Sequence, residues 1–124
     1  MPKVTLRFAP YMRGDPEWRE ISAYVAGDLA IYRPAWISAE GDLSVSKRSW
    51  TVSHIPTGDR VESALPDRLK DRGAIIATRD QLAQWAADWQ AACPDFFAAA
   101  KVAPINPDVL AAHGRDALDK GRAL

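Results

Sequence analysis

Along residues 50–65 the chain alternates in character. Trp50, Val52 and His54 fall to one side and Thr51, Ser53 and Ile55 to the other, the two-residue period of a strand. Pro56 presets φ for a turn and Gly58 supplies the left-handed residue of a bulged loop, so residues 55–58 read as a reversal. Alternation resumes over residues 60–65, with Val61, Ser63 and Leu65 opposite Arg60 and Glu62. The pattern predicts an antiparallel hairpin that pairs residues 50–55 with residues 60–64.

The same period recurs upstream. Val4, Leu6 and Phe8 predict a half-buried opening strand, ended by Pro10. Asp15, Pro16 and Glu17 carry the cap, first-turn proline and early acid of a helix start, which Trp18 extends by a turn or two. Residues 23–26 and 29–32 flank Gly27-Asp28 as a second hairpin, and Pro34 stops its second arm. Glu40-Gly41-Asp42 is a turn signal between two short strands, with Leu43 and Val45 alternating with Ser44 and Ser46. Residues 68–72 predict a short helical turn stopped by Gly73, followed by the apolar residues 74–77.

After Ala77 the period changes. Thr78 and Gln81 stand three apart as a capping-box pair. Leu82, Trp85, Ala86, Trp89 and Cys93 follow at helical spacing, with Asp80, Gln84, Asp88 and Gln90 elsewhere on the wheel. This predicts a helix over residues 79–93, stopped by Pro94, with Trp85 and Trp89 in the core. Asp95, Phe96 and Phe97 open a further short helix that ends before Pro104, and Asn106-Pro107-Asp108 starts a last one running to about residue 120. Its large apolar residues are few (Val109, Leu110, Leu118), so it either frays or becomes ordered against a partner subunit. Strands followed by helices predict an α+β fold: an antiparallel sheet of about 4–6 strands with C-terminal helices packed on one face. Residues 1–124 read as one domain, mainly β to residue 65 and mainly α from residue 66.

Composition narrows the function. Hydrophobic residues make up 48% and charged residues 26%, as in ordinary soluble globular chains. Sixteen basic residues balance sixteen acidic ones, which argues against broad binding to a phosphate backbone while leaving a local basic face open. The single cysteine, Cys93, excludes an internal disulfide and fits a reducing compartment. No apolar run approaches the ~20 residues of a membrane span, and residues 1–8 lack a signal-peptide core. The expected location is therefore the cytoplasm of a bacterial host.

Residues 29–33, then Trp50-Thr51-Val52-Ser53-His54-Ile55-Pro56-Thr57-Gly58 and a downstream alanine-rich helix, resemble a pattern of small proteins from phages and integrated elements. The similarity covers about half of the chain and centres on the W-T-V-S-H-I-P-T-G segment. It implies a phage or mobile-element context and attaches no catalytic role to any residue.

Candidate chemistry is sparse. His54 has only Trp50 and Val52 as same-side neighbours, and His113 lies in another element, so His54 reads as structural rather than catalytic or metal-binding. Cys93 ends a helix on its apolar face, where the helix field disfavours a thiolate, so it reads as a packing residue. Lys47 and Arg48 beside Trp50, with Arg60 across the hairpin, form a candidate nucleic-acid patch. Edge lysines that discourage strand aggregation, with Trp50 turned into the core, explain the same residues more simply. Trp18 and Trp36 sit in polar-flanked, irregular segments; each either plugs an end of the sheet or stands exposed as a partner-binding anchor. No paired carboxylates, phosphate loop, zinc pattern or Ser-His-Asp set stands out, so no catalytic residue, metal or cofactor is expected. The expectation is a non-enzymatic interaction module of a phage or mobile element that occupies a host or phage protein surface. An anti-defence inhibitor resembling anti-CRISPR proteins is one version. The alternative is a small nucleic-acid-binding module using Lys47, Arg48, Trp50 and Arg60.

Overall fold

The computed structural model describes residues 3–8, 19–56, 60–101 and 107–124. It is an α+β fold whose main sheet is antiparallel throughout. Its strands are β1 (Lys3–Phe8), β2 (Arg19–Ala26), β3 (Leu29–Tyr32) and β6 (Thr51–His54), in the spatial order β1-β2-β3-β6. Between β3 and β6 the chain makes a separate two-stranded ribbon of β4 (Ala35–Ile37) and β5 (Leu43–Val45). A second small ribbon, β7 (Lys70–Asp71) and β8 (Ala74–Ile75), precedes the helices α1 (Arg79–Ala92), α2 (Pro94–Ala100) and α3 (Pro107–Ala123).

The β2–β3 hairpin forms as its sequence predicts, with Gly27 at φ 62 in the turn. A side chain at residue 27 would overlap the Gln90 carboxamide of α1, which locks the turn from above. Gln90 Nε2 donates to Ala26 O (2.8 Å), and Gln90 Oε1 accepts from the Asp28 N–H (2.8 Å). Lys101, just past α2, adds an ion pair to Asp28 at 3.3 Å. The sheet's α1 face carries Leu29, Ile31 and Val52, all fully buried. Above them lie Leu82, Trp85, Ala86 and Trp89 of α1, with Phe97 of α2 and Ala117 of α3.

The helix at residues 79–93 forms with its full capping box. Thr78 Oγ1 accepts from Gln81 N (3.2 Å), and Gln81 Oε1 accepts from Thr78 N (2.9 Å). Trp85 and Trp89 are each 1% exposed and stack at 5.0 Å between centroids.

The expected second arm of the residue 50–65 hairpin is not a strand. Its only pairing with β6 is the isolated bridge Ser53↔Arg60, and residues 62–64 then wind into a 3-10 turn. The partner of β6 is β3, with Ile31 opposite Val52 and Leu29 opposite His54. Alternation over so few residues is a weak constraint when three consecutive side chains, Ala64, Leu65 and Pro66, are all buried. The Thr51 hydroxyl donates to Glu62 Oε1 at 2.7 Å and holds the turn against the strand. The short helix expected over residues 68–72 is also corrected. Its helical part is the 3-10 turn Asp67–Leu69, and Arg72 and Gly73, both at positive φ (51 and 84), form the two-residue loop joining β7 to β8. That geometry matches the twist of a tight hairpin, so Gly73 reverses a strand rather than ending a helix.

In the C-terminal half of α3, Leu118 packs against the core, and backbone contacts supply the rest of the anchoring. Trp85 Nε1 donates to Gly121 O (3.0 Å) and Trp89 Nε1 donates to Ala117 O (2.8 Å). Residue 121 has no room for a side chain, because a Cβ there would lie 2.6 Å from Ala64 O and 3.1 Å from Trp89 Nε1. Arg122 Nε donates to Ser63 O (2.7 Å) and Arg68 Nε to Leu124 O (3.0 Å), tying the end of the chain to the 3-10 segment. The helix start expected at residues 15–18 lies outside the described residues, as does Trp18. Among the described residues, no helix is long and apolar enough to cross a membrane.

Candidate functional site

A groove opens on the α1 face of the sheet, beyond the helix N-terminus. Antiparallel register makes it. Because Tyr32 pairs with Thr51, the next residues outward, Arg33 and Trp50, meet across the strand ends. The Arg33 guanidinium lies over the Trp50 ring, 4.1 Å from its centroid. Trp50 meets Tyr24 of β2 edge-on, with centroids 6.1 Å apart. The capping box at Thr78 sets the first residue of α1 directly above, and the Arg79 guanidinium covers the Tyr24 ring at 4.3 Å. The result is a ladder of Arg33, Trp50, Tyr24 and Arg79, each cation held by a ring quadrupole.

Glu20 and Ser22 extend the floor along β2, and Leu43 and Val45 of β5 form an apolar wall, enclosing about 530 Å³. Leu43 is 36% and Val45 45% exposed. Trp36, on the opposite face of the same ribbon, is 49% exposed. Trp36 is therefore an exposed ribbon residue, paired with Ser44, and does not belong to the irregular segment its polar neighbours suggest.

The sequence-derived basic patch is divided by the fold. Trp50 enters the groove, while Lys47 and Arg48 stand exposed on the loop before it, a loop bent by Ser46 Oγ accepting from Arg48 N (3.3 Å) and Ser49 N (3.0 Å). Arg60 lines a different cleft, of about 270 Å³, with His54, Phe96, Phe97 and Leu118. The cation over Trp50 is Arg33, and Arg79 covers the neighbouring Tyr24; sequence reading selects neither. Arg33 and Trp50 are 17 positions apart, and only the β3–β6 pairing joins them.

His54 is 4% exposed and packs against Phe97, with ring centroids 6.0 Å apart. The side chain of His113 lies outside the described residues. Among the described residues, no three His, Cys, Asp or Glu side chains cluster as metal ligands. Cys93 is buried where α1 ends and α2 begins, and that burial pushes its thiol pKa up, partly offset by Lys120. It is a poor nucleophile at neutral pH.

The groove offers the chemistry of a binding surface. Two guanidiniums present planar donor forks suited to carboxylate or phosphate, beside an apolar wall. One face of each ring is already taken by an arginine, which leaves less aromatic surface for stacking a base. No protein-family model matches this chain, and neither does any curated protein or solved structure.

Proposed function

We propose that this protein is a non-enzymatic binding module that works by occupying the surface of a partner protein, with the β4–β5 ribbon as its recognition element. The observation carrying this reading is the exposure of Trp36, Leu43 and Val45 on one short ribbon, apolar on both faces and separate from the main sheet. Tryptophan is enriched among interface hot spots, and large apolar side chains left on a two-stranded ribbon gain most from being covered by a partner. The phage or mobile-element context belongs to this proposal, as does its anti-defence version, in which the partner is a host protein complex of a bacterial cytoplasm.

The experiment is site-specific photocrosslinking in a lysate of the native host, with the crosslinker at position 36, at position 45, or at the exposed position 84 of α1 as a control. One protein captured from position 45 and from position 36, where an aromatic crosslinker stands in for the indole, but not from 84, with the capture from 45 lost on Trp36→Ala, is the expected result. Equal capture from all three positions, or turnover of a substrate that survives Trp36→Ala, would count against the reading.

A further inference from the structure

We infer that the groove between β5 and the N-terminus of α1 holds an acidic peptide segment of the partner, its carboxylates on Arg33 and Arg79 and a neighbouring apolar side chain against Leu43 and Val45. This rests on the protein-binding reading above and names the chemistry of the partner.

Charge carries the argument. Arg33 is half-buried yet meets no carboxylate among the described residues; its one hydrogen bond runs from Nη1 to Ser46 O at 3.5 Å. A guanidinium has five N–H donors, so most of those on Arg33 are unspent. Among the described residues, the one hydrogen bond of the Arg79 guanidinium runs from Nε to its exposed chain neighbour Asp80 at 3.4 Å, which leaves both terminal amino groups for a ligand. Stacking on Trp50 and Tyr24 fixes both planes and lowers the entropy lost when a carboxylate docks.

Two features favour a peptide over a nucleic acid. Glu20 lines the same groove and would repel a continuous polyanion, whereas a peptide can set its acids at the arginines alone. The opposite wall is Leu43 and Val45, which offer nothing to a phosphate chain and cover an apolar side chain well.

The test is selection from a random twelve-residue peptide library on the immobilised full chain, followed by fluorescence anisotropy of the enriched peptides. The expected peptides carry Asp or Glu next to a large apolar residue and bind more weakly as NaCl is raised. Their affinity falls at least tenfold with Arg33→Gln or Arg79→Gln. Arg33→Lys, which keeps the charge and spares the Trp50 contact, loses less, and circular dichroism confirms that each variant is folded. A twelve-nucleotide oligothymidylate fails to displace them. Neutral or basic peptides, no enrichment, or binding unchanged in the Arg33→Gln/Arg79→Gln double variant would overturn the inference, as would displacement by the oligonucleotide. Trp36→Ala separates the two proposals, because residue 36 faces away from the groove. It leaves peptide affinity unchanged while abolishing partner capture; retention of both would sink the ribbon reading and not the groove, and loss of peptide affinity in a folded variant would count against the groove.

Discussion

Trp85 and Trp89 on α1 and Trp36 on β4 are the same residue put to opposite uses. The first two are 1% exposed, stacked on each other, and their indole N–H groups reach carbonyls of α3. Trp36 is 49% exposed on a two-stranded ribbon separate from the main sheet. A buried indole must satisfy its N–H as well as fill volume, and α3 supplies the acceptors because Ala117 and Gly121 let its backbone come close. Burial on α1 is thus a joint product of two helices, and on β4 no described element supplies such an acceptor to the Trp36 indole. The difference separates a surface that holds the fold together from one that is free to be covered by another protein.

The largest expected effect is Trp89→Ala, which removes a ring packed against Trp85, Phe96 and Phe97 and the indole's hydrogen bond to Ala117 O. It should cost about 3–5 kcal/mol in urea denaturation. A midpoint left nearly unmoved would erase the comparison and make the α1 face a binding surface. Gly121→Ala probes the same contact from α3. Its new methyl group would press on Ala64 O and the Trp89 indole, with a loss of about 1–3 kcal/mol, the usual scale of overpacking. A neutral result would show that α3 docks less tightly than its hydrogen bonds require. Trp36→Ala stands at the other extreme: stability should change by no more than about 0.5 kcal/mol, as for other exposed sites, while partner capture is lost. A thermal midpoint several degrees lower would mean that Trp36 supports the ribbon rather than a partner.

Arg33 and Trp50 show why the candidate site was hardly legible in the sequence. Each ends a strand whose own alternation is plain, but nothing local says that β3 and β6 pair, and without that pairing the two are unrelated. Trp50 alone was selected, with Lys47, Arg48 and Arg60, and the fold sends Arg60 to another cleft. Trp50 is half-buried and packs against the core, as the simpler reading of that patch expects, while its open side lines the groove beside Arg33.

What the sequence by itself determined is the set of features whose causes lie within a few residues of one another. Thr78 and Gln81 start α1, the spacing of Leu82, Trp85 and Trp89 selects its buried face, and Gly27 turns β2 into β3. Capping and helical periodicity are short-range forces, so the local sequence contains them. Only the tertiary structure decided that β6 pairs with β3 instead of residues 60–64, that α3 is held by two indoles at Ala117 and Gly121, and that Trp36 is uncovered while Trp50 lies under Arg33. Strand pairing, close backbone approach and burial each depend on what arrives from elsewhere in the chain, and a period-2 stretch of small residues is compatible with several arrivals.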